Sequence, residues 1–461
     1  MSSTTPQPEL PPEIVNLIID LLYDSPRDLK ACALVCRGWV QQSRYHLFPE
    51  ISLYPGDVSR FLDLCDNTHA TFSMARIRRF SLTTNRFNEG VHKDNNKHWS
   101  RSNFDRLLTW RSPDGTKSLA DMFGDLKYLS LNWVGWSALS NTAKFALHPT
   151  FRTVTELNMW NVVFESGDEY LEFLCSLTAL EKLCLDGVVV QAPVKGMLLN
   201  EYLPSSLHTL DLRHHSPNSV EAIHTITPCR SLKHLSIDFC KRVPDTGFLR
   251  AVGALLASTG PSLESFGLTS QIPNNGIDLD TSLCFIDFTK NSRVRHITLD
   301  VAHLSHAIQF LHHLKTHSPY PPCLEKLYIP YLVPENTYPS IDHTQLDVLL
   351  EHPSFSNLKE FRGGACVGFT LNDVRGQSRS SHYHRPSEGN WRSEEMELKV
   401  REVQARMPML MDRGILRMDE SFRFGSDGDD ELDDPNDHRR VAAKALVLIF
   451  LCSSLLSPFL Q

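Results

Sequence analysis

Leu126-Lys127-Tyr128-Leu129-Ser130-Leu131 places apolar side chains at its first, fourth and sixth positions, and the same spacing returns down the chain. It recurs at Ile77/Phe80/Leu82, Val154/Leu157/Met159, Leu180/Leu183/Leu185, Leu207/Leu210/Leu212 and Leu232/Leu235/Ile237. It continues at Leu263/Phe266/Leu268, Val294/Ile297/Leu299, Leu324/Leu327/Ile329 and, degenerately, Leu358/Phe361. From the second unit onward the starts fall 25 to 34 residues apart. Each unit supplies a short strand whose spaced apolar residues point into a core, followed by a helical or irregular return. One such unit cannot bury its own apolar face, whereas a stack of them makes a continuous core beneath a parallel strand surface. The returns fit this reading, since 169–177, 247–256 and 302–314 carry apolar residues at helical spacing.

These units resemble leucine-rich repeats, whose period they match or slightly exceed. The stretch 232–248, with Cys240 three residues after Ile237 and then Asp245-Thr246-Gly247, is similar to the cysteine-containing subclass of that repeat. The expected fold class is therefore α/β: parallel strands on a concave face and helices or irregular returns on the convex one. The array occupies 51–370, with a polar loop insertion at 83–103 that stretches the first interval to 49 residues. A mobile loop at 371–392 rich in Ser, Arg and His follows. Residues 393–418 supply a helix, a second short helix and a strand that cap the open end of the stack.

The N-terminus reads differently. After a disordered tail at 1–8, Leu10-Pro11-Pro12-Glu13-Ile14 opens an amphipathic run in which Ile14, Leu17, Ile18, Leu21 and Leu22 form one helical stripe. Pro12 is harmless in a first turn, and Asp28 is placed to cap a second helix after the break at Asp24-Ser25-Pro26-Arg27. A third helix runs from Arg37 through Trp39 to His46. Three helices in about forty residues cannot bury so much apolar surface among themselves, so a partner or the rest of the chain must cover the surplus.

Leu10-Pro11-Xaa-Glu13-Ile14, then Ile18, Leu29 and Leu34-Val35-Cys36-Xaa-Xaa-Trp39, resemble the F-box, over 9–50. The resemblance implies docking on the Skp-type adaptor of a cullin-RING ubiquitin ligase. Carried over position by position, Leu10, Pro11, Ile14, Ile18 and Trp39 would face the adaptor, while Cys32, Leu34 and Val35 would hold the three helices together. An N-terminal helical cap on the repeat array is the plainer alternative.

The 461 residues are 41% apolar with a net charge of -8, which favours neither nucleic acid nor acidic lipid as main partner. Eleven cysteines without a Cys-Xaa-Xaa-Cys pair read as buried thiols in a reducing compartment, hence a cytoplasmic or nuclear protein. Between Asp427 and Asp437 lie seven acidic residues, the centre of a disordered acidic linker at 419–440. The hydrophobic tail 441–461 could anchor to a membrane, but its uninterrupted apolar run, Ala445 to Cys452, is short for a span; an amphipathic docking helix or a tail without a folded role fits better.

No phosphate-binding glycine loop, nucleophile elbow or His-Glu-Xaa-Xaa-His helix occurs, so the chain reads as a non-enzyme without cofactor, metal or catalytic residues. His313 and His317 lie one helical turn apart but have no acid or thiol companions, and solvated histidines explain them. More promising are positions beside the inward leucines, which point out along the concave side: Asn132, Trp160, Asp186, Asp211, Arg213, Asp238, Thr269, Asp300 and Tyr328. Their aspartates would form an acidic ladder for a basic segment of a client, with Trp160 and Tyr328 as aromatic anchors; an ordinary solvated strand edge is the alternative. The expected function is the substrate receptor of an SCF-type ligase, bringing an unknown client to the ligase. A repeat scaffold with no degradative role, or a tail-anchored repeat protein at a membrane, are the rival readings.

Overall fold

In the computed structural model, residues 11–54, 56–66, 77–83, 99–195, 203–213, 219–238, 246–270, 285–301, 304–317, 323–333, 343–365 and 394–419 are described. Leu10, Cys240, the stretch 371–392 expected to be a loop, the acidic stretch from 420 and the tail 441–461 lie outside the described residues.

The chain opens with helices α1 (Pro12–Asp20), α2 (Pro26–Val35) and α3 (Arg37–Leu47). Pro12 and Pro26 sit in first turns, where a missing N–H costs nothing. Ser25, rather than Asp28, precedes the second helix; Asp28 lies in its first turn and accepts from Ser25 Oγ at 2.7 Å. The three helices enclose a small core of Val15, Ile19, Leu22, Leu29 and Cys32, with Trp39 and Leu47 packed against it. Asp20 ties α1 to α3 by accepting from Gln42 and pairing with His46 Nε2 at 2.7 Å.

Beyond α3 the strands form one twelve-stranded sheet in which every pairing is parallel. They are β1 (Glu50–Leu53), β2 (Arg79–Thr83), β3 (Tyr128–Asn132), β4 (Glu156–Trp160), β6 (Lys182–Asp186), β8 (Thr209–Arg213), β9 (His234–Asp238), β10 (Ser265–Ser270), β11 (His296–Val301), β12 (Lys326–Val333), β13 (Glu360–Ala365) and β14 (Leu416–Asp419). The short β5 (Val163–Phe164) and β7 (Val189–Val190) pair with each other on the return side. The protein is thus a leucine-rich-repeat solenoid behind N-terminal helices. Strands come in sequence order, so each repeat lies only on its neighbours.

The repeat leucines fill the interior: Leu126, Leu129, Leu131, Leu157, Leu180, Leu183, Leu207 and Leu232 are all 0% exposed or within 2% of it. In β8, Leu210 and Leu212 go in while Thr209, Asp211 and Arg213 face out. Hydroxyls just before the first apolar residue latch successive repeats. Thr153, Ser206, Ser231 and Ser262 donate to the carbonyls of Leu126, Leu180, Leu207 and Leu232 at 2.9, 2.7, 2.7 and 2.9 Å.

The convex side is built from α4 (Val58–Asp66), α5 (Trp99–Leu108), α6 (Leu119–Met122), α7 (Asn141–Phe151), α8 (Gly167–Ser176), α9 (Val220–Ile226), α10 (Thr246–Thr259), α11 (Leu304–His317) and α12 (His343–Leu350). Ser140 and Ser166 accept from the third-residue N–H of α7 and α8, satisfying donors that helix starts leave open. Residues 99–103, expected within a polar insertion, instead form the first turn of α5, whose Phe104, Leu107 and Leu108 enter the core. Aromatic rings fill the space beneath the returns, with Phe80 against Phe123 at 4.7 Å and Phe266 stacked on Phe310 at 6.0 Å.

One close approach is decisive for α10. A Cβ on Gly253 would lie 2.6 Å from the backbone carbonyl of Phe285, which cannot rotate away. Overpacking of this kind costs about 1–3 kcal/mol, against about 1 kcal/mol gained from helix propensity. Gly253→Ala is therefore expected to lower stability by up to about 2 kcal/mol in urea denaturation; a stabilised variant would show that the contact relaxes freely.

The open end is closed by α13 (Glu394–Ala405), α14 (Pro408–Asp412) and β14. Asp347 of α12, 1% exposed, accepts the N–H groups of Met409 and Leu410, each at 3.0 Å. Arg413 donates to the carbonyls of Leu350, Phe355 and Leu358 at 3.1, 3.3 and 3.3 Å.

Candidate functional site

Two surfaces carry side chains that the fold alone does not require. The first is on the N-terminal helices. Helix α1 and the turn that ends it are apolar on two sides: Val15, Ile19 and Leu22 enter the helical core, while Ile14, Leu17 and Leu21 are 43%, 58% and 43% exposed. At the end of α2, Leu34 and Val35 are 88% and 61% exposed. This corrects two expectations: the apolar residues of α1 form two stripes rather than one, and Leu34 and Val35 point outward, leaving Cys32 as the inward residue of that trio. Of the residues assigned to an adaptor, Pro11 and Ile14 are exposed, Ile18 is half-buried, and Trp39 packs on the helical core. Leu10 is outside the described residues. Spacing marks Leu17 and Leu21 only as members of a stripe and does not separate the outward Leu34 and Val35 from inward residues.

The second surface is the outward side of the sheet. Its last row reads Thr83, Asn132, Trp160, Asp186, Arg213, each opposite the next in register. Asp238 follows Ile237, which lies opposite Leu212, and the row goes on through Thr269 to Asp300. The adjacent row holds Ser130, Asn158, Cys184, Asp211, Ser236, Gly267, Thr298, Tyr328 and Arg362. Trp160, Asp186, Arg213, Asp238 and Asp300 therefore share one row, and Asp211 and Tyr328 share the other. Trp160 and Tyr328 are six strand steps apart, about 29 Å at about 4.8 Å per step, so they cannot anchor one short segment together.

Nor is the acidic ladder continuous. Arg213 stands between Asp186 and Asp238, and its Nη2 donates to Asp211 Oδ2 at 2.8 Å. Asp211 is covered, with a side chain 15% exposed, and Arg213 is half open at 49%. Cys184, opposite Asp211, is 5% exposed, and burial pushes its thiol up to about 12, which makes it inert as a nucleophile. Around the strand ends the backbone turns through the left-handed region at Trp133 (φ 61°), Asn161 (φ 51°) and Gly187 (φ 63°). The turns are fixed by N–H donation to the carbonyls of Trp160, Asp186 and Arg213 at 2.7, 2.7 and 3.3 Å. They bring the Trp133 ring edge-on to Trp160, centroids 5.7 Å apart, an aromatic pair that sequence reading reached only in half.

Asp300 is the electrostatically strained member. Burial first, and then the charge of Asp238, push its carboxyl up to about 6 from an ordinary 3.8. Since the folded protein holds this proton more tightly than the unfolded chain, ionising Asp300 costs stability. The cost is absent well below pH 3.8 and complete above about 6. Asp300→Asn is expected to raise stability at pH 7.5 by at most about 3 kcal/mol, a gain that shrinks as the pH falls through 6 toward 4. Thermal melts of both proteins across that range check it; a pH-independent difference would contradict it.

His313 Nε2 lies 3.1 Å from the Ile286 carbonyl, a structural contact. Among the described residues no group of three His, Cys, Asp or Glu side chains is arranged to hold a metal, and no helix is long and apolar enough to cross a membrane.

Fold and surfaces together define a leucine-rich-repeat solenoid carried behind a three-helix module with an exposed aliphatic face. No family model and no curated protein matches the chain. Among solved structures it is similar to a chain of the Rad7–Elc1 complex from yeast, at 13% identity over 77% of this chain and 81% of that one, with a TM-score of 0.27. With a score that low, nothing below rests on it.

Proposed function

We propose that this protein is the substrate-recognition subunit of an SCF-type ubiquitin ligase, non-catalytic itself. The F-box-like helices at 9–50 dock a Skp-type adaptor, and the outward face of the solenoid at 51–370, closed by the cap at 393–418, receives a client protein. The observation that carries this reading is the exposure of Ile14, Leu17 and Leu21 along one side of the first helix, and of Leu34 and Val35 at the end of the second, on a module whose own core has five buried side chains. So much exposed aliphatic surface on a small helical unit marks a site for another protein. The F-box resemblance names the partner as the adaptor, through which the cullin-RING machinery is reached. The mechanism is proximity: client and ligase are held together, and effective concentration rather than chemistry on this chain raises the rate. Client contacts come from Trp160, Asp186, Asp211, Arg213, Asp238, Asp300 and Tyr328. Such a receptor works in the cytoplasm or nucleus.

The test compares ubiquitinated proteins captured from cells with the wild-type chain and with a variant whose α1–α2 face is made polar. Clients whose modification falls only when that face is lost support the receptor. Clients bound equally and modified equally by both chains would replace it with a non-degradative scaffold.

A further inference from the structure

We propose that Lys326 and Arg417, gathered with Arg362 around Glu360, form a docking site for carboxylates, and that the chain's own acidic run, Asp427 to Asp437, occupies it. The site is independent of what the N-terminal helices bind. Glu360 on β13 is covered, its side chain 11% exposed, and it meets three cations. Arg362 Nε donates to its Oε1 at 2.6 Å, Lys326 Nζ lies 3.4 Å from Oε2, and Arg417 Nη1 lies 3.9 Å from Oε1. The sheet register sets this up: Lys326 is opposite Glu360 and Arg362 is opposite Arg417. Leu416 and Met418 pack against the core, which turns Arg417 to the outward side. The hydrogen bond from Arg362, helped by Lys326 and opposed by burial, holds the Glu360 carboxyl below its ordinary 4.5, so it is ionised at neutral pH and offsets one of the three cations. Lys326 and Arg417 stay largely in water, with side chains 54% and 69% exposed, and neither pairs with another carboxylate among the described residues. The adjacent Lys359 is already matched by Glu325 at 3.2 Å. Two positive charges are therefore left over at this end of the outward face.

Chain length and charge name the occupant. Strand β14 ends at Asp419, and the run of seven carboxylates, with no cation inside it, begins eight residues later at Asp427. Eight residues span at most about 29 Å fully extended, and about 16 Å on average as a flexible coil. Arg417 lies two residues back along β14, about 7 Å, and Lys326 two strands across, about 10 Å, so both are within that reach. Gly425 and Gly428 allow the chain to double back. Farther along the face, Asp238 and Asp300 would repel the run, which favours this end. A tether this short holds the run at an effective concentration of about 1 mM, far above what a separate acidic protein reaches in a cell.

The experiment compares the full wild-type chain with a full chain in which the six Asp and one Glu of the run are replaced by Asn and Gln. The probe is a fluorescein-labelled peptide of residues 426–437, followed by anisotropy at about 50 mM salt. The neutralised chain is expected to bind it at least about tenfold tighter than the wild type, because a run tethered at about 1 mM holds the site against a peptide whose dissociation constant is about 100 μM. Adding Lys326→Gln and Arg417→Gln to the neutralised chain should remove at least about tenfold of that affinity with no change in thermal melting, since both side chains are exposed. Raising the salt to about 0.3 M should weaken the peptide on the neutralised chain without any further substitution. Equal binding by the wild-type and neutralised chains would overturn the acidic run as occupant and leave the site to an acidic segment of another protein. No binding by the neutralised chain, binding that survives loss of both cations, or equal binding of a peptide with Asn and Gln in place of its acids would overturn the site itself. The adaptor takes no part in any arm, so failure of the receptor reading is scored separately.

Discussion

A chain carrying Leu17→Asp and Leu34→Asp is expected to lose at least about 100-fold of its affinity for a Skp-type adaptor while melting within about 1 kcal/mol of the parent. Both residues are already in water, at 58% and 88% exposed, so neither change opens the helical core. In a complex each leucine would be covered, and fully burying one is worth about 1.5–3 kcal/mol. Two together exceed the 2.7 kcal/mol or so that a hundredfold loss requires, and an aspartate buried without a partner adds a further penalty. Trp39→Ala offers the contrast. Its ring packs on the helical core, so adaptor loss there should come with a lower melting temperature. Calorimetric titration paired with thermal melts reads both quantities, and a loss below tenfold in the double variant would move the docking face elsewhere.

Asp347→Ala should have the largest effect on stability, about 3–5 kcal/mol. The carboxyl is 1% exposed and accepts two N–H groups at the start of α14, at 3.0 Å each, so truncation strands both donors away from water. What it holds is the terminal closure: Met407 and Leu410 are 0% exposed, and β14 covers the edge of β13 by parallel pairing. Without that closure the last repeat offers an open strand edge and apolar side chains such as Phe361. Limited proteolysis should cut the variant within 394–419 well before the wild type, and Asp347→Asn, which keeps one acceptor oxygen, should fall between. Unchanged melting and digestion would show that Arg413 and the apolar contacts hold the cap unaided.

Much of this architecture is written in the repeat itself, because a first, fourth and sixth apolar position repeated ten times leaves few folds that bury all of them. Even β1 obeys it: Phe48, Ile51 and Leu53 have the same spacing, and Phe48 packs on the main core, but the unit is hidden where the third helix joins the sheet. The exposed aliphatic residues of the N-terminal helices were harder to read. Residues 14–22 are apolar at so many positions that periodicity finds a stripe without telling which of two sides meets the module's own core, and α2 presents the same ambiguity at Leu34 and Val35. On the strand surface, alternation located the outward residues but not their partners. Arg213 splits the aspartates because its side chain bends back to Asp211, and Trp133 joins Trp160 through a left-handed turn that a tryptophan does not advertise. Long side chains and irregular turns are settled by tertiary contact, beyond what spacing encodes.

Direct titration of the purified full chain with a purified Skp-type adaptor tests the central claim most closely. A single-site complex tighter than about 1 μM, equivalent to about 8 kcal/mol, is the result expected of a receptor that must recruit its ligase at cellular concentrations. No heat and no co-elution with the folded chain would contradict it, and would leave the three helices as a cap on a solenoid that serves some other partner.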